Sequence, residues 1–460
     1  MARRIAELPK GTRITDYISL GVLTTTFPLS RVRAALAAQK KASRRQGDLP
    51  AHVVVYYVIA LALFMQGSCR EVLRCLLEGL AWLLGPGQEV KISGKSGISQ
   101  ARTRRDWAVL QQLYDEGVKP MAVKSTRGAW YRNWRLVSLD GSTLDVADEK
   151  ENAQAFGRPG ASRGASAYPQ IRFVALVENG THVLFASRLA GYETGEITLA
   201  AEVVAALQKG MLCLADRNFF GFRLWNQARA GGAALLWRIK KNLRLSVEKR
   251  LPDGSYLSRI YPSERDRRHQ TNGVAVRVID YRLQEVSEAE PLYRLVTTLL
   301  DPSQAPAEEL AALYHERGEI EGALDELKTH LRSAKIVLRG KTPDLVRREF
   351  YGLLLAHFAI RGLMHEAALQ AEEDPDRLSF LHAVRAIRRK LPLYNASPPR
   401  ERPAFHQAVL NEILQERVVF SRGQRRPRGV KRKMSNFPLR PGGACCAVRI
   451  EFSKCLRLVK

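Results

Sequence analysis

Tyr314, Arg317, Glu321 and Lys328 are separated by steps of three, four and seven residues. At about 3.6 residues per turn, such steps put all four side chains on one helical stripe. That face presents an aromatic hydroxyl, a guanidinium, a carboxylate and an ammonium together. Two isolated acids precede it, each closing an apolar run. Asp140 follows Arg135-Leu136-Val137-Ser138-Leu139, and Asp216 follows Met211-Leu212-Cys213-Leu214-Ala215. Cleavage of a phosphodiester needs an activated oxygen nucleophile and a stabilised leaving oxygen. Two divalent cations roughly 3.5–4 Å apart can serve both. Mg²⁺, and Mn²⁺ in its place, prefer oxygen ligands, so the protein must supply carboxylates. A first-strand Asp can bridge both ions; a second strand-end Asp and a helical Glu can each hold one. The chain supplies Asp140, Asp216 and Glu321 in that order, and no His or Cys cluster competes for the role. Taken singly, Asp140 and Asp216 read as turn or cap residues, and Glu321 has Glu316, Glu319, Asp325 and Glu326 as rivals. The joint pattern carries the inference.

The elements that must position these groups are legible from residue texture. Strands are predicted at Leu136–Leu139, Ile171–Val177, Val183–Ser187, Leu212–Ala215 and Leu235–Ile239, with helices at Ile197–Leu207 and Phe220–Ala228. This α/β region is assigned to 130–245 as the first part of a mixed-sheet core. Alternating apolar and polar residues then mark a β-rich insertion at 246–300, with strands at Val274–Tyr281 and Tyr293–Thr298 and a hairpin turn at Asp253-Gly254. The last part of the core, with the Glu321 helix, spans 301–370. Residues 371–420 form a helical C-terminal region. In the basic tail, 421–460, Arg422 to Lys433 place seven cations in twelve positions, a composition expected to be disordered and to meet a polyanion. A helical N-terminal DNA-binding domain is assigned to 1–125. Within it, Ser99, Gln100, Arg102 and Arg105 follow a polar turn, as in the recognition helix of a helix-turn-helix; a basic helix that only touches phosphate fits as well. Gly94-Lys95-Ser96 is not a nucleotide-binding loop, because the first glycine of that motif would fall on Glu89.

Bulk properties agree with a nucleic-acid partner. Lys and Arg number 73 against 46 Asp and Glu among 460 residues, a formal net charge of +27. Such an excess attracts DNA or RNA. The longest apolar run, Val53 to Met65, is too short to span a bilayer and fits a buried helix. The basic N-terminus lacks the apolar core of a signal peptide. Six cysteines make no Cys-x-x-Cys pair and no zinc spacing, so the cytoplasm is the expected compartment.

With Tyr-x2-Arg-x3-Glu-x6-Lys at Tyr314, Arg317, Glu321 and Lys328, the chain resembles the DDE transposases of bacterial insertion sequences, specifically the insertion-sequence-four family. Leu139-Asp140-Gly141-Ser142 and Ala215-Asp216-Arg217-Asn218-Phe219 also look like that family, and the segment from Thr15 to Val118 resembles the helical domain of one of its branches. The resemblance implies a ribonuclease-H-like core with a β-rich insertion between the second Asp and the Glu. It also implies two Mg²⁺ ions on Asp140, Asp216 and Glu321, and Tyr314, Arg317 and Lys328 gripping DNA phosphates. The implied substrates are double-stranded terminal inverted repeats and target DNA, with cleavage through a hairpin and strand transfer by the freed 3′-hydroxyl. Pairing two DNA ends points to a homodimer in the synaptic complex. A hairpin route calls for a base swung out onto an aromatic; Tyr293 is the candidate, with a packed strand tyrosine as the alternative. One departure is Gly318, where family members commonly carry a bulky aromatic. Two other readings use the same residues: a catalytically impaired DNA-binding copy that inhibits active ones, and a ribonuclease-H-like nuclease with another role.

Overall fold

The computed structural model describes residues 21, 26–42, 49–78, 95–103, 107–161, 164–165, 168–241, 243, 245–284, 286, 289–331, 337–397, 400–418, 424–425, 430–431, 438–439, 448–449 and 452–459. Along the chain the first helices are α1 (Leu29–Ala38), α2 (Ala51–Leu63), α3 (Cys69–Glu78), α4 (Lys95–Thr103) and α5 (Ala108–Gly117). Then come β1 (Trp130–Tyr131), β2 (Trp134–Asp145), α6 (Lys150–Phe156), β3 (Gly160–Ala161), β4 (Gly164–Ala165), β5 (Gln170–Glu178), β6 (Val183–Gly191), α7 (Glu196–Val203), β7 (Met211–Ala215), α8 (Phe222–Ala230) and β8 (Ala234–Arg238). They are followed by β9 (Lys249–Arg250), β10 (Tyr256–Ile260), α9 (Glu264–His269), β11 (Val274–Leu283), β12 (Tyr293–Thr297), α10 (Ala307–Tyr314), α11 (Glu319–Asp325), α12 (Pro343–Gln370), α13 (Phe380–Ala396) and α14 (Arg402–Ile413). The predicted strands all form, each extended by a residue or more at one end or both, except Leu235–Ile239, which forms one residue earlier, and Tyr293–Thr298, which stops at Thr297.

Two compact units share this chain. One holds 1–127, 141–203 and 322–417; the other holds 128–140, 204–321 and 418–460. Strand β2 runs through both. Its first half pairs in parallel with β7, and β7 pairs in parallel with β8. Its second half lies beside the antiparallel hairpin β5–β6, so the order through the shared strand is β6-β5-β2-β7-β8. This is the ribonuclease-H-like core that the sequence implied. The insertion continues the same sheet in the second unit: β12 joins β8 antiparallel, then β11, β10 and β9 follow. The turn between β9 and β10 is Asp253-Gly254, where Gly254 takes φ +85°, a conformation natural for glycine.

In the second unit, side chains alternate across the sheet, so one face of β2, β7 and β8 gives Leu136, Leu212, Leu214 and Leu236 to a core closed by Leu310, Ala311, Leu313 and Tyr314 of α10. The other face takes α8, whose Trp225 meets Trp237 edge-on at 5.4 Å. In the first unit, α12 is the central element. Twenty-eight residues long, it is capped by the Thr342 hydroxyl with Pro343 in its first turn, and it packs on α2, α5, α13 and α14. Gly352 lets α12 come close to α2: a Cβ there would stand 3.0 Å from the Val58 carbonyl oxygen. The apolar run from Val53 is the buried helix α2, and among the described residues no helix is long and apolar enough to cross a membrane.

Candidate active site

Two hydrophobic strands and one helix bring the three acids to a single guanidinium. Leu139 on β2 is in register with Ala215 on β7, the last pair of their parallel ladder. Asp140 is the next residue on β2 and Asp216 the first beyond the end of β7, so both follow paired residues of neighbouring strands spaced about 4.8 Å apart. Both are half-buried. Arg317 donates from Nη1 to Asp140 Oδ2 at 3.3 Å, and its Nη2 lies 3.8 Å from Glu321 Oε1. Burial pushes the Arg317 pKa down, but Tyr314 and the carboxylates of Asp140, Asp216 and Glu321 outweigh it and the net shift is upward. Arg317 therefore feels all three acids.

The four-residue motif does not lie on one continuous α-helix, as its spacing predicted. Helix α10 ends at Tyr314, a 3₁₀ turn covers His315–Gly318, α11 runs through Asp325, and a π-helical turn covers Glu326–Leu331. Such mixed winding inside helical segments recurs at functional sites. Tyr314 is buried, its hydroxyl donating to the Ala215 carbonyl at 3.5 Å, and burial raises its pKa well above the ordinary phenol value. Its hydroxyl braces the end of the Asp216 strand, where the sequence reading put it on phosphate. Lys328 Nζ donates to Ser142 Oγ at 2.8 Å, on β2 two residues beyond Asp140.

Two expected DNA contacts are engaged elsewhere. Tyr293 is 6% exposed; it stacks on Tyr281 with centroids 5.1 Å apart, lies under Arg238, and its hydroxyl accepts from the Glu290 amide. Both Tyr281 and Arg238 thus lie against its ring. Arg102 donates from Nη2 to Glu349 at 2.6 Å, within the helical unit, rather than presenting its guanidinium to solvent. Arg105 lies outside the described residues, as does most of the cationic run from Arg422 to Lys433.

The donor set suits a hard divalent cation. Three carboxylates offer only oxygen, two of them following the last paired residues of β2 and β7. The Asp140 side chain is 25% exposed and that of Glu321 71% exposed, so both can be reached from solvent.

The description "Insertion element 4 transposase N-terminal" matches residues 17–115, and "Transposase DDE domain" matches 135–359. Across 421 residues the chain is 25% identical to the transposase InsG for insertion sequence element IS4 of Escherichia coli (strain K12), covering 89% of this chain and 91% of that one. The chain belongs to the IS4 family of DDE transposases.

As an IS4-family member it is a DNA-cleaving transposase. A second Escherichia coli relative, the putative transposase InsZ, is 25% identical over 200 residues, or 42% of this chain and 62% of that one. Among solved structures, the piggyBac transposase synaptic complex with hairpin DNA aligns at a TM-score of 0.42 with 10% identity, over 85% of this chain and 84% of that one. Gly318, where the sequence reading expected a bulky aromatic, is exposed in the 3₁₀ turn with nothing within 4 Å of where a Cβ would stand. Room for a large side chain exists there.

Sequence reasoning missed the cations beside the second acid. Arg238 closes β8, the neighbour of the Asp216 strand. Burial pushes its pKa down, while Glu290, Tyr314 and Asp216 push it up and prevail. Glu290 pairs with Arg238 at 2.5 Å and with Arg217, the residue after Asp216, at 3.2 Å. A cation closing a strand next to an acid-bearing strand was the available signal.

Proposed function

We propose that this transposase binds the terminal inverted repeats of its own insertion sequence, cuts them through a hairpin intermediate and inserts the element into target DNA as a homodimer. The observation that carries the reading is the convergence of Asp140, Asp216 and Glu321 on Arg317. When bound by these three carboxylates, two Mg²⁺ ions, or Mn²⁺ in their place, supply an activated oxygen nucleophile and stabilise the leaving oxygen. The chain's own groups do the rest. Arg317, fixed and charged, neutralises phosphate charge that builds up during transfer; its planar fork suits bidentate contact with phosphate. Tyr314 holds the Asp216 strand from below. Lys328 adds a second cation beside Ser142. The net charge of +27 steers the duplex and sets most of the affinity.

The test is cleavage of labelled DNA carrying the repeats that flank the gene, with Mg²⁺, by wild type and Asp140→Ala. End-specific nicks and hairpins in wild type alone support the reading. Cutting without preference for the repeats makes it a nuclease of another role. Binding without cleavage makes it a DNA-binding copy.

A further inference from the structure

The first unit buries a charged cluster that the chemistry above does not use. Glu326, in the first position of the π-helical turn, is 8% exposed. Arg361 Nε donates to its Oε2 at 2.8 Å, and Arg361 Nη2 donates to Oε1. His357 Nε2 lies 3.0 Å from Oε2, and His182 Nδ1 lies 3.0 Å from Oε1. Arg361 and His357 stand one turn apart on α12, both almost wholly buried. His182 sits at the tip of the β5–β6 hairpin with φ 59°, a left-handed conformation rare for a residue with a side chain, and its Nε2 is 3.0 Å from buried Asp376. Burial alone would raise the Glu326 pKa; Arg361 and His182 outweigh it, and the carboxyl stays ionised well below the ordinary range.

A buried carboxylate held by three side chains from two other elements is a rigid anchor, because any displacement leaves a charge without partners. It lies two residues before Lys328. A turn wound with i→i+5 bonds is not the geometry a helix adopts unaided. Here the wider turn keeps Glu326 in its cage while Lys328 reaches Ser142 at 2.8 Å.

We propose that Glu326 is a positioning residue for the motif lysine: its caged carboxylate holds the π-turn that sets Lys328 against Ser142 on the strand of the first acid. The catalytic consequence rests on the transposase reading given above; the placement of Lys328 does not. Two measurements therefore separate them. In the first, full-length wild type and Glu326→Gln are treated with an amine-acylating reagent and the peptides are weighed. Lys328 is expected to react several-fold faster in the folded variant, while Lys341, with a side chain 77% exposed, reacts at the wild-type rate. In the second, end cleavage is compared for Glu326→Gln, Lys328→Ala and the double variant. If Glu326 acts through Lys328, the double variant is no slower than Lys328→Ala; a purely structural role makes the losses multiply. An unchanged Lys328 labelling rate in a folded variant, or multiplying losses, overturns the proposal. Where Glu326→Gln fails to fold, His357→Gln loosens the same cage more gently and is judged by the same labelling ratio. A wild type that never cuts overturns the transposase reading, and labelling still decides the proposal.

Discussion

Arg317 and Asp140 stand 177 positions apart in the chain, yet the guanidinium donates to the carboxylate at 3.3 Å. The contact joins the motif helix to the first strand of the core, and it has consequences of opposite sign for metal and for DNA. A fixed cation beside the acids opposes binding of a divalent ion and favours binding of phosphate. Arg317→Gln is therefore expected to tighten Mn²⁺ binding, read by calorimetry in the absence of DNA. The same variant should lower end cleavage by roughly 10²–10³, the loss typical of one oriented charge-stabilising donor. Weaker Mn²⁺ binding in the variant would mean that the arginine organises the acids rather than competing with the ion.

Gly318→Trp should fold as well as wild type. The position is exposed, no atom stands within 4 Å of a new Cβ, and glycine in a helical segment costs about 1 kcal/mol against Ala. Thermal melts should show an equal or slightly higher midpoint, and end cleavage should not fall. A large drop in the midpoint would place the 3₁₀ turn of Arg317 under a constraint that only glycine meets.

Asp253→Asn should be strongly destabilising. Arg277 is fully buried, and Asp253 is its carboxylate partner; Asp253 also accepts from the Ala307 amide at the start of α10. Removing one partner of a buried pair costs about 3–5 kcal/mol. Urea unfolding should show the loss, whereas Asp253→Asn with Arg277→Met should recover part of it. Equal losses in the single and double variants would show that the Ala307 contact, not the ion pair, carries the stability.

Acid should weaken the fold through the Glu326 cage. Burial holds the His357 pKa below the ordinary histidine value, so folding favours the neutral ring. Its contribution is complete above about pH 6.5 and declines as pH falls below that. The Glu326 carboxyl is likewise depressed in the fold, so its share is present above about pH 4.3 and is lost as pH falls through its lower folded value. Melting temperature should thus fall in two stages on acidification, and His357→Gln should lose part of the upper stage, the rest coming from His365, whose pKa burial also lowers. An unchanged upper stage in that variant would assign it to another histidine.

Binding to repeat-bearing DNA should weaken steeply between 50 and 200 mM salt, on the order of 10³-fold or more if six or more phosphates are contacted. A flat salt dependence would mean that the +27 charge does not face the duplex.

The sequence by itself determined the elements that carry the candidate acids. The apolar runs ending at Asp140 and Asp216 became β2 and β7, because four or five consecutive buried residues between polar breaks suit strands covered on both faces. Asp253-Gly254 became a hairpin turn because glycine there takes a positive φ. Local chemistry is enough for such assignments. The counter-ion role of the same Asp253, the Arg102 to Glu349 pair and the packing of Tyr293 on Tyr281 all depend on partners far along the chain. The motif spacing marked Tyr314, Arg317, Glu321 and Lys328 as a unit but assumed uniform α-helical winding. The actual winding passes through 3₁₀ and π turns. Only tertiary structure decided this, since a buried carboxylate goes where its hydrogen-bond donors are, and those of Glu326 come from β5–β6 and α12.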